Sequence, residues 1–115
     1  PMTDTLTVHL DAFTRLVSWM GTMCAGRQEA DPNYAFTLGM VKHVTGGFDV
    51  YRMRLAAGQH DKAEDEAVKI DRWLAILSDE LHQLRRDPVL AGTADMLRRD
   101  FQAIRAEVAY VREAT

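Results

Sequence analysis

The chain has 115 residues, of which 47% are hydrophobic and 27% are charged, and its formal net charge at pH 7 is −3. This length and composition predict one soluble domain, residues 1–115, with enough apolar surface for a core. Basic residues are interleaved with acidic ones, as in Arg98-Arg99-Asp100, so the chain lacks the positive surface that binding to nucleic acid requires. We therefore expect no nucleic-acid partner.

Membrane association and secretion are not expected either. No apolar run approaches the roughly 20 residues that span a bilayer, and no basic segment followed by a hydrophobic one marks a signal peptide. Cys24 is the single cysteine, which excludes an intramolecular disulfide and favours a reducing compartment. These features predict a cytoplasmic protein.

The first predicted helix covers about residues 4–25. Its apolar residues recur at steps of three and four, which aligns them along one side of a helix and would scatter them on a strand. They are Leu6, Leu10, Phe13, Val17, Met20 and Cys24.

The second predicted helix covers about residues 32–57. Asp31 and Pro32 are typical of an N-cap followed by the first helical residue, and Gly58 suits the left-handed position after a helix. The apolar spacing continues across Gly46 and Gly47, each of which costs roughly 1 kcal/mol in a helix interior. The pattern is therefore compatible with a kink at Gly46-Gly47. The apolar positions are Tyr34, Leu38, Val41, Val44, Phe48, Tyr51 and Leu55.

The third and fourth predicted helices cover about residues 61–86 and 88–113. Asp87-Pro88 repeats the capping dipeptide, and Arg85 and Arg86 suit the negative end of the third helix dipole. The short connections between all four helices force neighbours to run antiparallel. The predicted fold is therefore an all-α, up-down-up-down four-helix bundle. The apolar positions are Ala63, Ala67, Ile70, Leu74, Leu77, Leu81 and Leu84, then Leu90, Ala94, Leu97, Phe101, Ile104, Val108 and Val111.

Motifs that carry chemistry are scarce. The spacing of Asp79 and His82 resembles half of the Glu-x-x-His motif of di-iron bundles, but both residues fall away from the core positions of their helix, and the motif occurs once. The sequence has no phosphate loop, dinucleotide-binding glycines or nucleophile elbow. We therefore predict no metal, cofactor or small-molecule substrate, and no enzyme activity.

His43 supports one alternative from a different class. It lies outside the core positions of the second helix, with Gly39 and Gly47 one turn before and after it, which predicts an imidazole in a cleared groove. The segment His43 to Gly47 resembles the H-x-x-K-G motif of histidine phosphotransfer domains, with Gly46 at the lysine position. The resemblance implies a four-helix bundle in which His43 accepts a phosphoryl group.

The main functional prediction is protein binding, because two helices carry more apolar residues than one core stripe requires. In the first helix the surplus either marks an interface or shows that this helix is the most buried one. Trp19 and Trp73 likewise either cover gaps between helices or anchor a partner. We predict a small regulatory inhibitor or adaptor that binds a partner protein and acts as a homodimer. The predicted binding surface comprises Leu16, Trp19, Met23, Phe36, Met40, His43 and Val50.

Overall fold

The computed structural model describes residues 4–84 and 87–114. These residues form four α-helices and no strand: α1 Asp4–Ala30, α2 Tyr34–Ala56, α3 His60–Leu84 and α4 Pro88–Ala114. Each helix packs on the next and α4 packs on α1, so the helices stand at the corners of a square in chain order. The bundle measures 49 × 19 × 19 Å. The predicted all-α four-helix bundle is confirmed.

Aromatic rings fill the middle of the core. Phe13 packs on Phe48 with ring centroids 4.3 Å apart and on Phe101 at 5.7 Å. Tyr51 meets Phe101 edge-on at 5.4 Å. All four side chains are at most 2% exposed, so α1, α2 and α4 are joined through one cluster of rings. The predicted core positions of the first helix, including Cys24, are buried as expected.

The connection between α1 and α2 differs from the prediction. α1 continues to Ala30 instead of ending near residue 25, and α2 begins at Tyr34. Because α2 begins at Tyr34, Asp31 caps the turn that precedes the helix: its carboxylate accepts the amide N–H of Asn33, and its carbonyl accepts that of Tyr34. Pro32 therefore lies inside a tight turn, and Asn33 takes the cap position without a side-chain hydrogen bond.

The end of α2 follows the prediction closely. Gly58 has φ of 71°, the only positive value recorded for a glycine in the described residues. Its amide donates to the carbonyl of Leu55, and the next amide, of Gln59, donates to that of Arg54. This pair of hydrogen bonds is a Schellman motif, which satisfies carbonyls that the end of the helix leaves open.

α2 runs as one helix from Tyr34 to Ala56, through both glycines. A Cβ atom built on Gly47 would lie 2.6 Å from the ring of Trp73 and 3.3 Å from Ile70, both on α3. At Gly46 it would meet nothing within 4 Å. Gly47 therefore serves the close approach of α2 and α3.

The capping prediction at Asp87-Pro88 is confirmed. The Asp87 carboxylate accepts the amide of Leu90 at 3.2 Å and also receives the guanidinium of Arg27 at 2.7 Å. One buried carboxylate thus begins α4 and ties it to the end of α1. The predicted end of the third helix at residue 86, with Arg85 and Arg86, lies outside the described residues.

Candidate functional site

Two ion pairs show which side of α1 faces each neighbour. Arg27 binds Asp87 at the start of α4. Asp11, on another side of α1, binds Arg52 of α2 at 2.8 Å. Leu16 and Met23 are eleven and four residues before Arg27, which places them on the α4 side of the helix. Both are half-buried, and Trp19, between them in sequence, lies at the outer edge of that side with 42% exposure.

Three of the four predicted binding residues of α2 lie on its α3 side. The His43 ring stacks on Trp73 of α3 at 5.3 Å with an interplanar angle of 24°. Phe36 and Val50 are seven residues before and after His43, so they share its side of the helix. Phe36 is 53% exposed, whereas Val50 is half-buried.

The seven predicted binding residues therefore do not form one surface. The α1/α4 side and the α2/α3 side are opposite sides of a square whose corners follow chain order. Met40 belongs to neither surface, because it is 8% exposed and lies in the core. The remaining six residues divide into three on each side: Leu16, Trp19 and Met23 on one, and Phe36, His43 and Val50 on the other.

α4 adds two apolar side chains to the α1/α4 side that the sequence reasoning missed. Val89 and Met96 are 60% and 45% exposed and stand seven residues apart on one side of α4. That side faces away from α3, because Asp95 and Arg105, which bond to α3, lie on the opposite flank. Their spacing beside the core stripe of α4 is the signal that could have revealed them.

Two contacts fix the heights of α1 and α4 relative to each other. Arg27 pairs with Asp87, and the Phe13 ring packs on Phe101. A residue of α1 and a residue of α4 therefore lie at the same height along the bundle axis when their numbers add up to about 114. Val89 and Met96 are then level with residues 25 and 18 of α1. Together the five side chains lie on one side of the bundle over a span of about ten residues, and they are here called the α1/α4 row: Leu16, Trp19, Met23, Val89 and Met96.

The surroundings of His43 differ from the prediction. The imidazole is exposed, but Gly47 is buried beneath Trp73, whose ring fills the space that two glycines were expected to clear. Only the Gly39 end is open, since a Cβ atom there would meet nothing within 4 Å. Trp73 is half-buried and packs on the core, so it covers the gap between α2 and α3. The phosphoryl-acceptor assignment stays a prediction.

Asp95 joins α3 to α4 through two side chains of α3. Its carboxylate accepts the Ser78 hydroxyl at 2.5 Å and lies 2.9 Å from Nε2 of His82. The hydrogen bond from Ser78, and after it the one with His82, holds the pKa of Asp95 below its usual range. The carboxylate stands between the hydroxyl and the imidazole, which differs from a Ser-His-Asp relay, where the imidazole is central. The arrangement clamps two helices together.

A second polar cluster joins the start of α3 to the end of α4. Arg105 pairs with both Glu64 and Asp71, and Asp71 also accepts the amide of Gln102 at 2.8 Å. Burial, together with the nearby negative charge of Glu64, raises the pKa of the Tyr51 hydroxyl to about 12. One guanidinium is shared by two carboxylates, so the cluster is an intramolecular ion-pair network with a net negative charge.

The thiol of Cys24 is suited to packing more than to reaction. It is fully buried, and burial together with the charge of Asp87 raises its pKa to about 11. The thiolate, which is the nucleophilic form, is therefore strongly disfavoured at neutral pH.

The described residues contain neither a grouped set of metal ligands nor a membrane-spanning helix. Within residues 4–84 and 87–114, no three histidine, cysteine, aspartate or glutamate side chains are grouped so that they could hold a metal ion. None of the four helices, over the same residues, combines the length and apolarity needed to cross a membrane.

Comparisons of the chain with protein-family models, with curated proteins and with solved structures found no match.

Proposed function

We propose that this protein is a non-enzymatic protein-interaction module that works as a small regulatory inhibitor or adaptor. The observation that carries the proposal is the α1/α4 row, in which three large apolar side chains are more than two-fifths exposed: Trp19, Val89 and Met96. Single exposed apolar residues are common on proteins, whereas several grouped on one side are typical of an interaction surface.

The chemistry of the row suits binding. Tryptophan and methionine are enriched at the centres of interfaces, where a broad ring fills a pocket and a flexible thioether adapts to a partner. Each apolar Å² removed from water contributes about 25 cal/mol, part of which offsets the entropy lost on association. The polar clusters at Asp95 and Arg105 bond helix to helix, which supports a structural role for them.

The opposite side of the bundle offers a second candidate surface for an adaptor. Phe36 and Ile76 are 53% and 38% exposed on α2 and α3, and both lie at the α2/α3 side together with His43 and Trp73. Because this side is opposite the α1/α4 row, two proteins could occupy the molecule at the same time. This geometry favours bridging as a mode of action.

Site-specific photo-crosslinking tests the proposal. A benzoylphenylalanine crosslinker in place of Trp19 should give discrete protein adducts when it is irradiated in cells that produce the protein. The matched control carries the crosslinker in place of Val68, which is 47% exposed on α3 and outside both surfaces. Adducts at position 19 that are no stronger than those at position 68 would refute a protein-binding role for the row.

A further inference from the structure

The α1/α4 row has a geometry that a second copy of the chain can match. The row extends from the height of residue 16 to that of residue 25 on α1, and its centre lies between the heights of Trp19 and Met23. A two-fold axis through this centre, lying in the plane of the interface and perpendicular to the long axis of the bundle, would place one row on the other in opposite directions. Such an interface is self-complementary, because each residue below the centre meets one at the same distance above it.

Two of the charged residues that flank the row, Asp100 and Arg27, follow the same symmetry. Asp100 is exposed, lies four residues after Met96 on the same side of α4, and is level with residue 14 of α1. Arg27 lies at the other end of the row, and its side chain is 44% exposed although it binds Asp87. Asp100 and Arg27 are each about six to seven residues, or about 10 Å, from the centre.

We propose that two copies of this chain associate antiparallel through their α1/α4 rows, with Asp100 of each copy pairing with Arg27 of the other. The two rows supply the apolar contact, and the two symmetric ion pairs set its direction and register. A guanidinium has five N–H donors, so Arg27 can donate to Asp87 through Nε and to a second carboxylate from its other nitrogens. The inference names the occupant of the row and therefore rests on the proposed function.

The antiparallel direction follows from the charges. In a parallel dimer, with the two-fold axis along the bundle, each Asp100 would face its own counterpart and each Arg27 the other guanidinium. Like charges that meet across an interface are unfavourable, whereas the antiparallel arrangement converts both repulsions into attractions.

The first measurement is the mass of the full chain by sedimentation equilibrium over a wide range of concentrations. A chain of 13.0 kDa should approach twice that mass as its concentration rises. Trp19→Glu should weaken the dimer by about tenfold or more, as expected for a central anchor, with unchanged helicity by circular dichroism. Raised salt should weaken the wild-type dimer, because it screens the flanking ion pairs.

A charge reversal tests the ion pair with a matched control. Asp100→Lys places a cation opposite Arg27 of the other copy, and we expect it to raise the dimer dissociation constant by about tenfold or more. Asp79→Lys changes the net charge equally at an exposed position of α3, outside the row, and should change the constant by less than about twofold. Equal effects of the two substitutions would overturn the pairing.

The direction is measured by electron-paramagnetic-resonance distances between spin labels. The label is attached to Tyr110→Cys, a position 68% exposed near the end of α4, in a Cys24→Ala background. In the antiparallel dimer the two labels should lie about 50 Å apart, because each is about 16 residues from the centre. A distance below about 30 Å would show a parallel dimer and overturn the inference.

The combined outcomes separate this inference from the proposed function. A chain that stays monomeric at every concentration, yet gives adducts with other proteins at position 19, would overturn self-association and leave the interaction module standing. A monomeric chain without specific adducts would refute both. If the dimer dissociation constant were unchanged by Trp19→Glu or by Asp100→Lys, self-association would use another surface.

Discussion

At the scale of single residues, the neighbours of a side chain decide its role more than its type does. Gly46 and Gly47 are adjacent in sequence and both interrupt the same helix, but only Gly47 is buried, beneath the Trp73 ring. Asp79 and Asp95 are both carboxylates near His82, yet the imidazole contacts Asp95, thirteen residues away, and not the residue three positions before it. Each pair therefore supplies a test with its own control.

Gly47→Ala should destabilise the protein although alanine favours helices. The added methyl group would lie 2.6 Å from the Trp73 ring, which would have to leave its stack on His43. Overpacking costs typically 1 to 3 kcal/mol, against roughly 1 kcal/mol gained in helix propensity, so we expect a net loss of about 1 kcal/mol. Chemical denaturation followed by circular dichroism measures this free energy of unfolding.

The control for this substitution is Gly46→Ala. Its methyl group would meet nothing within 4 Å, so the helix-propensity gain of roughly 0.5 to 1 kcal/mol should appear undiminished. If both variants were stabilised equally, Trp73 would not lie over Gly47. The apolar spacing is compatible with a kink at these glycines, but periodicity alone could not identify which one faces α3, because that depends on the packing of a second helix.

At the scale of helices, boundaries were predicted well wherever one residue caps the helix directly. Asp87 does so with its carboxylate and Gly58 with its left-handed backbone, and the predicted starts and ends near them agree with the structure. Asp31-Pro32 is the same dipeptide as Asp87-Pro88 but forms a turn, and α2 begins two residues after Pro32. The difference is tertiary: Asp87 is buried and held by Arg27, a contact across 60 residues that no local motif contains.

Asp87→Ala should therefore cost more than the loss of a cap. Removal of an N-cap side chain typically costs about 1 kcal/mol, and the variant also leaves Arg27 without its partner, so we expect a loss of about 2 kcal/mol. Asp87→Asn keeps an oxygen for the Leu90 amide and should lose roughly half as much. Asp79→Ala, at an exposed position of α3, should change the free energy of unfolding by less than about 0.5 kcal/mol. Thermal or urea unfolding would show whether this order holds.

The clamp between α3 and α4 predicts a dependence of stability on pH. Hydrogen bonds from Ser78 and His82, with Arg99 nearby, lower the pKa of Asp95 in the folded protein below its unfolded value of about 3.9. The ionised carboxylate therefore stabilises the fold fully above about pH 4, and this contribution is lost as the pH falls through the folded pKa. Asp95→Asn should be less stable than the wild type near pH 6, and the difference should shrink toward pH 2.

Urea unfolding at several pH values provides the measurement, and Asp79→Asn is the control for removal of a surface carboxylate from α3. A gap between wild type and Asp95→Asn that stayed constant from pH 6 to pH 2 would show that the hydrogen bonds do not depend on the charge. The sequence singled out His82 by its spacing from Asp79 and could not identify Asp95, because the partner on α4 is brought near only by the packing of two helices.

At the scale of the whole molecule, the apolar periodicity predicted the buried stripe of each helix but not which flank of that stripe faces which neighbour. That choice depends on the direction in which the four helices turn around the square. With α4 on one flank of α1 and α3 on the distant flank of α2, residues predicted to act together lie on opposite sides. Trp19 and Phe36 are both exposed, as a binding role requires, yet they cannot contact one partner surface at the same time.

Substitutions on the two sides should consequently act independently. Trp19→Glu lies in the α1/α4 row and should weaken self-association by about tenfold or more, whereas Phe36→Glu, 53% exposed on the α2/α3 side, should leave it unchanged. Because the free-energy changes caused by substitutions at distant sites add, the double variant should sediment like Trp19→Glu alone. Circular dichroism should show the same helicity for all four proteins. Dissociation by Phe36→Glu as complete as that by Trp19→Glu would mean that the self-association surface reaches the α2/α3 side, which an antiparallel pair of α1/α4 rows cannot do.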